Sequence, residues 1–482
     1  MQTELNPGAK DARRWPALAV LLGGTLLPPL DFFIVNVTLP SIRTDLHASA
    51  DVAQLVVSVY AMAYAVTLIL GGRLGDIYGR RRSFVAGMLG FGLASTICGL
   101  AGSAGVLVFG RLLQGIAAAV MAPQALSSIH AMFPASEKTR ALSLYGATFG
   151  AAAVGGQLLG GVLVSANLWD MGWRSVFIIN IPVIALAVPA AFVFVRETKE
   201  EHGDRMDFPG AALLALGVLA VVFPLIEGRE RGWPWWSLGL LGLSPLLLLI
   251  FWRYEKHRER AGRMPLIPPS VISAAPGLRP GLLAAVLFYA LAAFFLTFAV
   301  YQQAGLHRDA LAAGLAILPL GVGQLLGPRL GLQLSRWLGS NAATFGMGLE
   351  VTGLVLTAGA AVMGKPSLIH LPLLLIGIGQ GIAVPALVRL NIDLVDPRWA
   401  GLAAGMVSAA MQLGAALSVA LVGGAFFSLV PDGAAPDQVE SGFAFGCFLI
   451  SIAMTAAAIL SRRLAVCKPD RKHTDASEKA AT

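Results

Sequence analysis

The sequence predicts an all-helical integral membrane protein whose chain crosses the bilayer many times. Of its 482 residues, 56% are hydrophobic and 13% are charged, whereas about 25% of the residues of a soluble protein are charged. The mean hydropathy is +0.73, and uncharged runs such as 55–71 and 83–100 are long enough to cross a bilayer as helices. These observations exclude a water-soluble globular protein.

Each predicted transmembrane helix is a stretch of about 20 mostly apolar residues, the length that spans the hydrocarbon core. We predict fourteen such helices, at residues 15–37, 52–71, 83–101, 105–126, 139–164, 174–195, 207–227, 236–253, 278–303, 310–334, 341–363, 368–390, 400–429 and 441–461. The polar N-terminal residues run directly into the first segment without a small-residue cleavage site, so we expect helix 1 to be retained.

The lysines and arginines predict the side of the membrane that each loop faces, because cytoplasmic loops are enriched in them. Most of the 35 basic residues lie in the two tails and in the loops after helices 2, 4, 6, 8, 10 and 12, so we place these segments in the cytoplasm. We expect the membrane to be a bacterial inner membrane. The net charge of +8 follows from this topology, and the basic residues form no patch for nucleic acid. The exceptions are Arg43, Arg174, Arg229, Arg231, Arg308 and Lys365 in the opposite loops and Arg111 inside helix 4.

Three ionisable side chains are candidates for proton coupling because they fall inside predicted helices. An ionised group there costs roughly 2.5–3.5 kcal/mol to insert, so each must face a partner or a cavity. Asp31 follows Pro28-Pro29, which favour a kink in helix 1, and we hypothesise that it alternates between a proton and a cationic substrate. The alternative is a hydrogen bond to backbone groups freed by the prolines. For Glu350 in helix 11 and Arg111, a purely structural role is also open.

Other polar side chains within the helices are candidates for a substrate cavity shared with Asp31 and Glu350. Each could instead form an interhelical hydrogen bond. They are Asn36, Tyr60, Gln114, Gln157, Gln302 and Gln324. In helix 5, Gly156, Gly160 and Gly161 allow close packing against a moving neighbour.

A short polar hinge, GRLGDIYGRRR, connects helices 2 and 3. Its glycines allow a sharp reversal, and its arginines hold the turn at the cytoplasmic face. The pattern G-x-L-[GA]-D-x-x-G-R-[RK] resembles the loop between helices 2 and 3 of the major facilitator superfamily. The resemblance implies a cytoplasmic gate, in which the aspartate contacts the start of a helix in the other half of the molecule. The gate residues would be Gly72, Asp76, Gly79, Arg80 and Arg81. The alternative is that these residues only solvate the loop and fix its topology.

Further segments resemble the drug:proton antiporter family with fourteen helices. They are Asp31-x-x-x-x-Asn36-Val37-x-Leu39-Pro40, Arg111-x-x-Gln114-Gly115, Trp173-Arg174-x-x-Phe177-x-x-Asn180-x-Pro182 and Asp207-Phe208-x-Gly210. The resemblance implies that Arg111 takes part in proton coupling through helix 1. In helix 5 the family pattern G-P-x-x-G-G has Gln157 in place of proline, which leaves the direction of exchange open.

A faint repeat indicates two halves. Leu74-Gly75-Asp76-x-x-Gly79 is echoed by Leu334-Ser335-Arg336-x-x-Gly339, and Gln114-Gly115 by Gln380-Gly381. Transporters of this type pack two six-helix halves around a midplane substrate site. We therefore predict an N-terminal tail (1–14), an N-terminal bundle (15–200), two inserted helices with their connectors (201–270), a C-terminal bundle (271–463) and a C-terminal tail (464–482).

The predicted function is proton-coupled efflux of amphipathic, cationic drugs or toxic compounds by alternating access. We expect a monomer that contacts membrane lipids, uses the proton gradient and needs no cofactor. Alternatives are a proton-coupled uptake symporter, a dedicated metabolite exporter, or a receptor or scaffold without transport. Three cysteines and seven scattered histidines predict no metal site. We expect no enzyme either, because Pro366 replaces the Ser/Thr that a phosphate-binding loop needs after Gly364-Lys365.

Overall fold

The structure is a computed structural model that describes residues 13–198, 207–396, 399–431 and 433–466. Within these ranges all regular secondary structure is helical. Most of the two predicted tails, 1–14 and 464–482, lies outside the described residues.

The first six long helices form one group. Their bounds are α1 Arg14–Asp45, α2 Ala50–Tyr78, α3 Arg80–Gly99, α4 Ala104–Met132, α5 Ala135–Ala166 and α6 Asn180–Phe194. In this group α1 packs against α5 and α6, and α4 packs against α2 and α3.

The remaining helices form an inserted pair and a second group of six. The inserted pair is α7 Phe208–Glu230 and α8 Trp235–Arg260, followed by a short connector helix, Pro269–Ala274. The second group is α9 Leu278–Gly305, α10 Ala310–Leu334, α11 Ala342–Val362, α12 His370–Ile392, α13 Leu402–Leu429 and α14 Pro436–Val466. Here α12 packs against α10 and α11, and α14 packs against α9 and α11.

All of the long helices except α3 contain apolar stretches of the kind found in membrane spans. Eleven helices in the described residues are long and apolar enough to cross a membrane, and apolar stretches at Val52–Leu68 and Gly150–Ala166 lie within α2 and α5. Helices suit this environment because they satisfy their backbone hydrogen bonds internally, where no water is available. The predicted all-helical membrane architecture is confirmed.

The inserted pair lies outside the two groups of six helices. Helix α8 packs against α7, and α7 in turn packs against α2 and against the second half of α13. Helix α7 therefore touches both groups. The exact residues at which the predicted domains begin and end stay a prediction.

Helix α1 continues through Pro28 and Pro29, where the sequence favours a kink, and includes Pro40 as well. The hydroxyl of Tyr60 in α2 donates a hydrogen bond of 2.9 Å to the carbonyl of Pro28. A neighbouring helix thus satisfies a backbone group beside the prolines.

Helices α2 and α4 approach each other so closely that a side chain is excluded at Gly71. A methyl group there would overlap the backbone carbonyl of Ala119, whereas a methyl group at the adjacent Gly72 would meet only the Cβ of Pro123 at 3.8 Å. The first contact would force two backbones apart, and the second is ordinary van der Waals contact.

We expect Gly71→Ala to destabilise the protein by about 1–3 kcal/mol, because overpacking of a tight helix contact strains the backbone. Gly72→Ala is the matched control and should be neutral or slightly stabilising, since alanine favours a helix by up to about 1 kcal/mol over glycine. Thermal unfolding of the purified variants measures the difference. Equal melting temperatures for the two variants would contradict the packing of α2 on α4.

Candidate functional site

The centre of the first six helices holds a buried polar network around Asp31. Its carboxylate pairs with the guanidinium of Arg111 in α4, and both side chains are fully buried. Oδ1 of Asp31 also accepts hydrogen bonds from the amides of Gln114 at 3.2 Å and Asn180 at 3.0 Å. The two amides each donate to the hydroxyl of Ser95 as well, at 2.9 and 3.2 Å. We call Asp31, Ser95, Arg111, Gln114, Asn180 and Tyr60 the Asp31 network.

Two of the three guanidinium nitrogens of Arg111 donate hydrogen bonds, and the third, Nη2, has no described partner. Its Nη1 donates to Oε1 of Gln114 at 2.8 Å, and its Nε donates to the carbonyl of Val56 at 3.0 Å. The guanidinium also lies 4.2 Å from the centre of the Tyr60 ring, a cation–π distance. A buried charge requires such partners, because leaving it unpaired away from water is strongly unfavourable.

The Asp31 network lies inside the first group of helices, not between the two groups. Every described hydrogen-bond or ion-pair partner of Asp31 belongs to α4 or α6. Two residues further along α1, on the opposite face at about 100° per residue, the Phe33 ring meets Phe295 of α9 with centroids 4.6 Å apart. On helix α1, Asp31 therefore faces the first group of helices and Phe33 faces the second group.

This geometry limits what Asp31 can do chemically. Arg111, Gln114 and Asn180 all donate to its carboxylate. Any further ligand of this carboxylate must therefore compete with three donors that already surround it.

The other predicted cavity residues are distributed over the molecule. Asn36 donates to the carbonyl of Phe32 in its own helix at 2.7 Å, and Gln302 accepts from Arg308 at 2.9 Å. The amide of Gln324 in α10 donates to Gln380 in α12. Gln157 is buried in α5, with its side-chain nitrogen unpartnered among the described residues. The structure brings Tyr60 and Gln114 to Asp31, but it does not bring these four residues there.

Glu350 lies in the second group of helices, apart from the Asp31 network. It is fully buried in α11, and its Cγ lies against Gly379 of α12, where a methyl group would approach it to 2.7 Å. Neither carboxylate oxygen has a hydrogen-bond partner among the described residues. No described polar group therefore offsets the loss of hydration of this carboxyl group.

The glycines of α5 bring three helices together. A methyl group at Gly156 would lie 2.7 Å from the carbonyl oxygen of Leu30 in α1, and one at Gly160 would overlap Val37. A methyl group at Gly161 would lie 2.6 Å from the carbonyl oxygen of Ala310 in α10. Helix α5 is therefore packed between α1 and the second group of helices.

Several contacts join the two groups at the end of the molecule where Asp45 lies, which we call the Asp45 end. Gln303 donates to the carbonyl of Val37 at 2.9 Å, and the guanidinium of Arg43 lies 5.6 Å from the centre of the Phe427 ring. Gln54 of α2 lies against Gly423 of α13. These contacts bring the two groups together at the Asp45 end.

At the opposite end, Gly79 forms the turn between α2 and α3 with a φ of +105°, a value that glycine adopts without strain. The carboxylate of Glu197 accepts hydrogen bonds from the backbone N–H groups of Arg81 at 3.0 Å and Arg82 at 3.3 Å, so it caps α3. Arg80 donates from its backbone to the carbonyl of Thr198 at 2.9 Å. We call this the Gly79 end.

The predicted gate is only partly covered by this description. Gly72 lies in α2 facing Pro123, and Gly79, Arg80 and Arg81 form the turn itself. The side chain of Asp76 lies outside the described part of the structure, so its contact with the other half stays a prediction.

Sequence reasoning missed three residues of these sites. Ser95 and Asn180 complete the Asp31 network, and Glu197 caps α3. Asn180 carries a signal, since an amide inside an apolar segment needs a partner. Ser95 carries little signal, because serine in a membrane helix commonly bonds its own backbone. Within the described residues, no group of three or more His, Cys, Asp or Glu side chains is placed to hold a metal ion.

Comparison with known proteins identifies similar chains. The family described as Major Facilitator Superfamily matches residues 21–419. A probable actinorhodin transporter from Streptomyces coelicolor is 37% identical, with 89% of this chain and 76% of that protein covered. A puromycin resistance protein from Streptomyces alboniger is 34% identical, with 93% and 90% covered. A cephamycin export protein from Amycolatopsis lactamdurans is 32% identical, with 94% and 93% covered.

Solved structures of similar shape support the fold alone. A crystal structure of a peptide transporter of the POT type in complex with sulfate has a TM-score of 0.64 at 14% identity, and the match covers 93% of this chain and 95% of that one. A second structure, of an auto-inhibited POT family peptide transporter, also has a TM-score of 0.64, at 16% identity, with 94% and 97% covered.

We expect Asp31→Asn and Arg111→Gln each to destabilise the protein by about 3–5 kcal/mol, because each leaves one buried charge without its partner. The double variant, in which neither charge remains, should be less destabilised than the sum of the two single variants by about 1 kcal/mol or more. Denaturant unfolding of the four proteins gives this coupling free energy. Strict additivity would show that the two side chains do not form a pair in solution.

Proposed function

The chain belongs to the Major Facilitator Superfamily, and from this premise we propose that it is a proton-coupled efflux transporter that exports small amphipathic molecules across a membrane. The observation that carries the proton coupling is the Asp31 network, in which a fully buried carboxylate and a fully buried guanidinium face each other. Ionisable groups inside membrane helices are energetically costly, and where they occur they commonly mark a path for ions or protons.

Coupling would work through competition for Asp31. In the structure, Arg111 forms an ion pair with the carboxylate of Asp31. Rocking of the two groups of helices would shift α1, which contacts both groups, and so weaken the ion pair. Water could then deliver a proton, and the protonated carboxyl would release Arg111 to its remaining partners, the carbonyl of Val56 and the ring of Tyr60. Each bound proton would be carried to the other side during the return step.

Glu350 is a second candidate for a proton site. It is buried in the other group of helices, and its carboxylate oxygens lack described partners. We propose a smaller role for Glu350 than for Asp31, because no described basic side chain pairs with it.

The cargo we propose is a small amphipathic, cationic compound, which could reach the carboxylate of Asp31 only after Arg111 had moved away from it. Relatives are named for actinorhodin transport, puromycin resistance and cephamycin export. Because each of these names refers to one compound, a dedicated exporter of a single secreted metabolite is the second candidate function. Uptake of the same compound by symport is the third.

We further propose that the protein works as a monomer in the bacterial inner membrane, surrounded by lipid and driven by the proton gradient without a cofactor. Both termini and the Gly79 end would face the cytoplasm, in agreement with the distribution of lysines and arginines. The contacts at the Asp45 end would then keep the molecule closed toward the outside, in an inward-facing state. One pH unit of gradient supplies about 1.4 kcal/mol per proton.

We expect Asp31→Asn to abolish efflux against a concentration gradient, because an amide side chain cannot bind and release a proton near neutral pH. Downhill movement of the same compound should persist, since the two groups of helices can still rock. Uptake of a lipophilic cationic dye into everted vesicles, with and without an uncoupler, measures both. A folded Asp31→Asn protein that still concentrates the dye would exclude Asp31 as the coupling residue.

Two further variants calibrate that experiment. Asp45→Asn removes a carboxylate from the same helix, but at the surface, where it pairs with Arg174 at 2.7 Å, so uphill efflux should be retained. Glu350→Gln tests the second candidate. If Glu350→Gln lost uphill transport and Asp31→Asn retained it, proton coupling would be assigned to Glu350 in α11 and not to Asp31.

A further inference from the structure

Two buried carboxyl groups meet at the end of the inserted pair of helices. Asp207 directly precedes α7, Glu255 lies near the end of α8, and the two residues are 5% and 0% exposed. A methyl group at Gly210 of α7 would approach Oδ2 of Asp207 to 2.5 Å and Oε1 of Glu255 to 2.7 Å. The two oxygens therefore lie close to the same point beside the backbone of α7. Neither residue belongs to the Asp31 network.

The polar contacts of Asp207 leave Oδ2 without a hydrogen bond. Its Oδ1 accepts from the backbone N–H of Gly210 at 3.0 Å and from the hydroxyl of Tyr254 at 2.9 Å. The Nε of Arg258 lies 3.3 Å from Oδ2, but its hydrogen is donated to the carbonyl of Met264 at 2.9 Å. Among the described residues, Oδ2 therefore has a charged neighbour but no hydrogen-bond donor.

Glu255 is bonded through one oxygen only. Its Oε2 accepts a hydrogen bond of 2.7 Å from the backbone N–H of Ile267, in the segment 261–277 between α8 and α9, which we call the connector segment. Its Oε1, which faces Asp207, has no partner within the described part of the chain. Two buried acceptors without a donor between them are unfavourable, and a single proton makes one of them a donor to the other. In closely placed carboxyl pairs, one group commonly holds a proton for this reason.

The other charged and apolar groups near the pair are placed differently. Glu259, one turn beyond Glu255 on α8, accepts from the backbone N–H and the hydroxyl of Ser270 in the connector segment. An apolar cluster adjoins the pair and consists of Ala211, Phe251 and Leu266, with Leu70 of α2 packed against it. On α2 the first charged residue after Leu70 is Arg73, one turn further along the helix. A metal cation is disfavoured, because the guanidinium of Arg258 already lies beside Oδ2.

The pair lies where the inserted helices and the connector segment meet both groups of helices. The apolar cluster brings Leu266 of the connector segment close to Leu70 of α2, in the first group. Further along the connector segment, Val271 is buried in a second cluster with Met406 of α13, in the second group. The segment that Glu255 holds is therefore in contact with both groups.

We propose that Asp207 and Glu255 bind one proton between them, and that this proton holds α7, α8 and the connector segment together at the Gly79 end. With the proton bound, one carboxyl group donates to the other beside Gly210, and Oε2 of Glu255 still accepts from Ile267. Without it, two negative charges repel each other and push the end of α8 away from the start of α7. Since we propose that this end faces the cytoplasm, the site would respond to cytoplasmic pH. The inference goes beyond the proposed function, because neither Asp31 nor the cargo takes part.

The first test measures the infrared absorption of protonated carboxyl groups in the full-length protein in lipid nanodiscs. The pH is raised from about 5 to about 9, the range in which a buried carboxyl group can titrate. We expect the wild type to lose one protonated carboxyl group that Glu255→Gln lacks at every pH. Glu259→Gln removes the next acid on the same helix and should keep the wild-type titration. No transport is measured, so a failure here is distinguishable from a failure of proton-coupled efflux.

Asp207→Asn shows whether the proton belongs to both residues and guards against a folding defect in Glu255→Gln. The new amide is itself a donor to Glu255, so this variant should lack the same protonated group. The double variant should lose no more than either single variant, since the two residues hold a single proton. The proposal is overturned if Asp207→Asn keeps the titration, if the double variant loses two protonated groups, or if Glu255→Gln titrates like the wild type.

A second measurement tests the effect of the proton on the connector segment. Spin labels at the exposed positions Arg253 of α8 and Ser273 of the connector segment report the distance between them. The background is Cys467→Ser, and Cys98 and Cys447 are buried. Rising pH should broaden or lengthen this distance in the wild type but not in Glu255→Gln, whose amide replaces the protonated carboxyl group. Equal behaviour of the two proteins would overturn the proposal.

Exchange of the salt separates a proton from a metal cation as the ligand. The infrared titration is repeated in sodium chloride and in choline chloride. The same titration in both salts supports a proton site. A protonated carboxyl group that sodium ions displace at constant pH would assign the site to a metal cation and overturn the proposal.

Discussion

The pairing of Asp31 with Arg111 in a region without water is the constraint on which the first six helices depend. Both side chains are fully buried, and either charge without its partner would be strongly unfavourable inside a membrane helix. The pair must therefore be surrounded by hydrogen-bonding groups, which come from α2, α3, α4 and α6. The helices that supply these groups are fixed in position and rotation around α1. The polar network thus determines the arrangement of helices that are otherwise uniformly apolar.

Under the proposed proton coupling, the position of this pair implies an indirect route between proton and cargo. Asp31 faces α4 and α6, while Phe33 on the other side of α1 meets α9 across the boundary. Gly156 and Gly160 bring the backbones of α5 and α1 into close contact. We propose that a change at the boundary between the groups reaches the ion pair by a shift of α1 together with α5. Close-packed helices transmit such shifts because their contacts do not deform continuously.

Hydropathy was sufficient to predict the helical architecture, and the isolated polar residues identified several members of the Asp31 network. The span of each helix follows from the length of its apolar run, and Asp31, Arg111 and Gln114 stand out because polar side chains there need partners. The placement of Glu350 against α12 was not predictable, since a helix that is apolar all round gives no sign of which face points where. The cap that Glu197 provides for α3 was missed for a different reason. It joins residues 116 positions apart, and such contacts are set by tertiary packing.

The inserted helices gain a physical role from their contacts with both groups. Helix α7 packs against α2 in one group and against α13 in the other. Any rocking of the two groups must therefore change the contacts of α7 with at least one of them. Whatever binds against α7 in only one of the two arrangements shifts the conformational equilibrium by its difference in affinity for the two states.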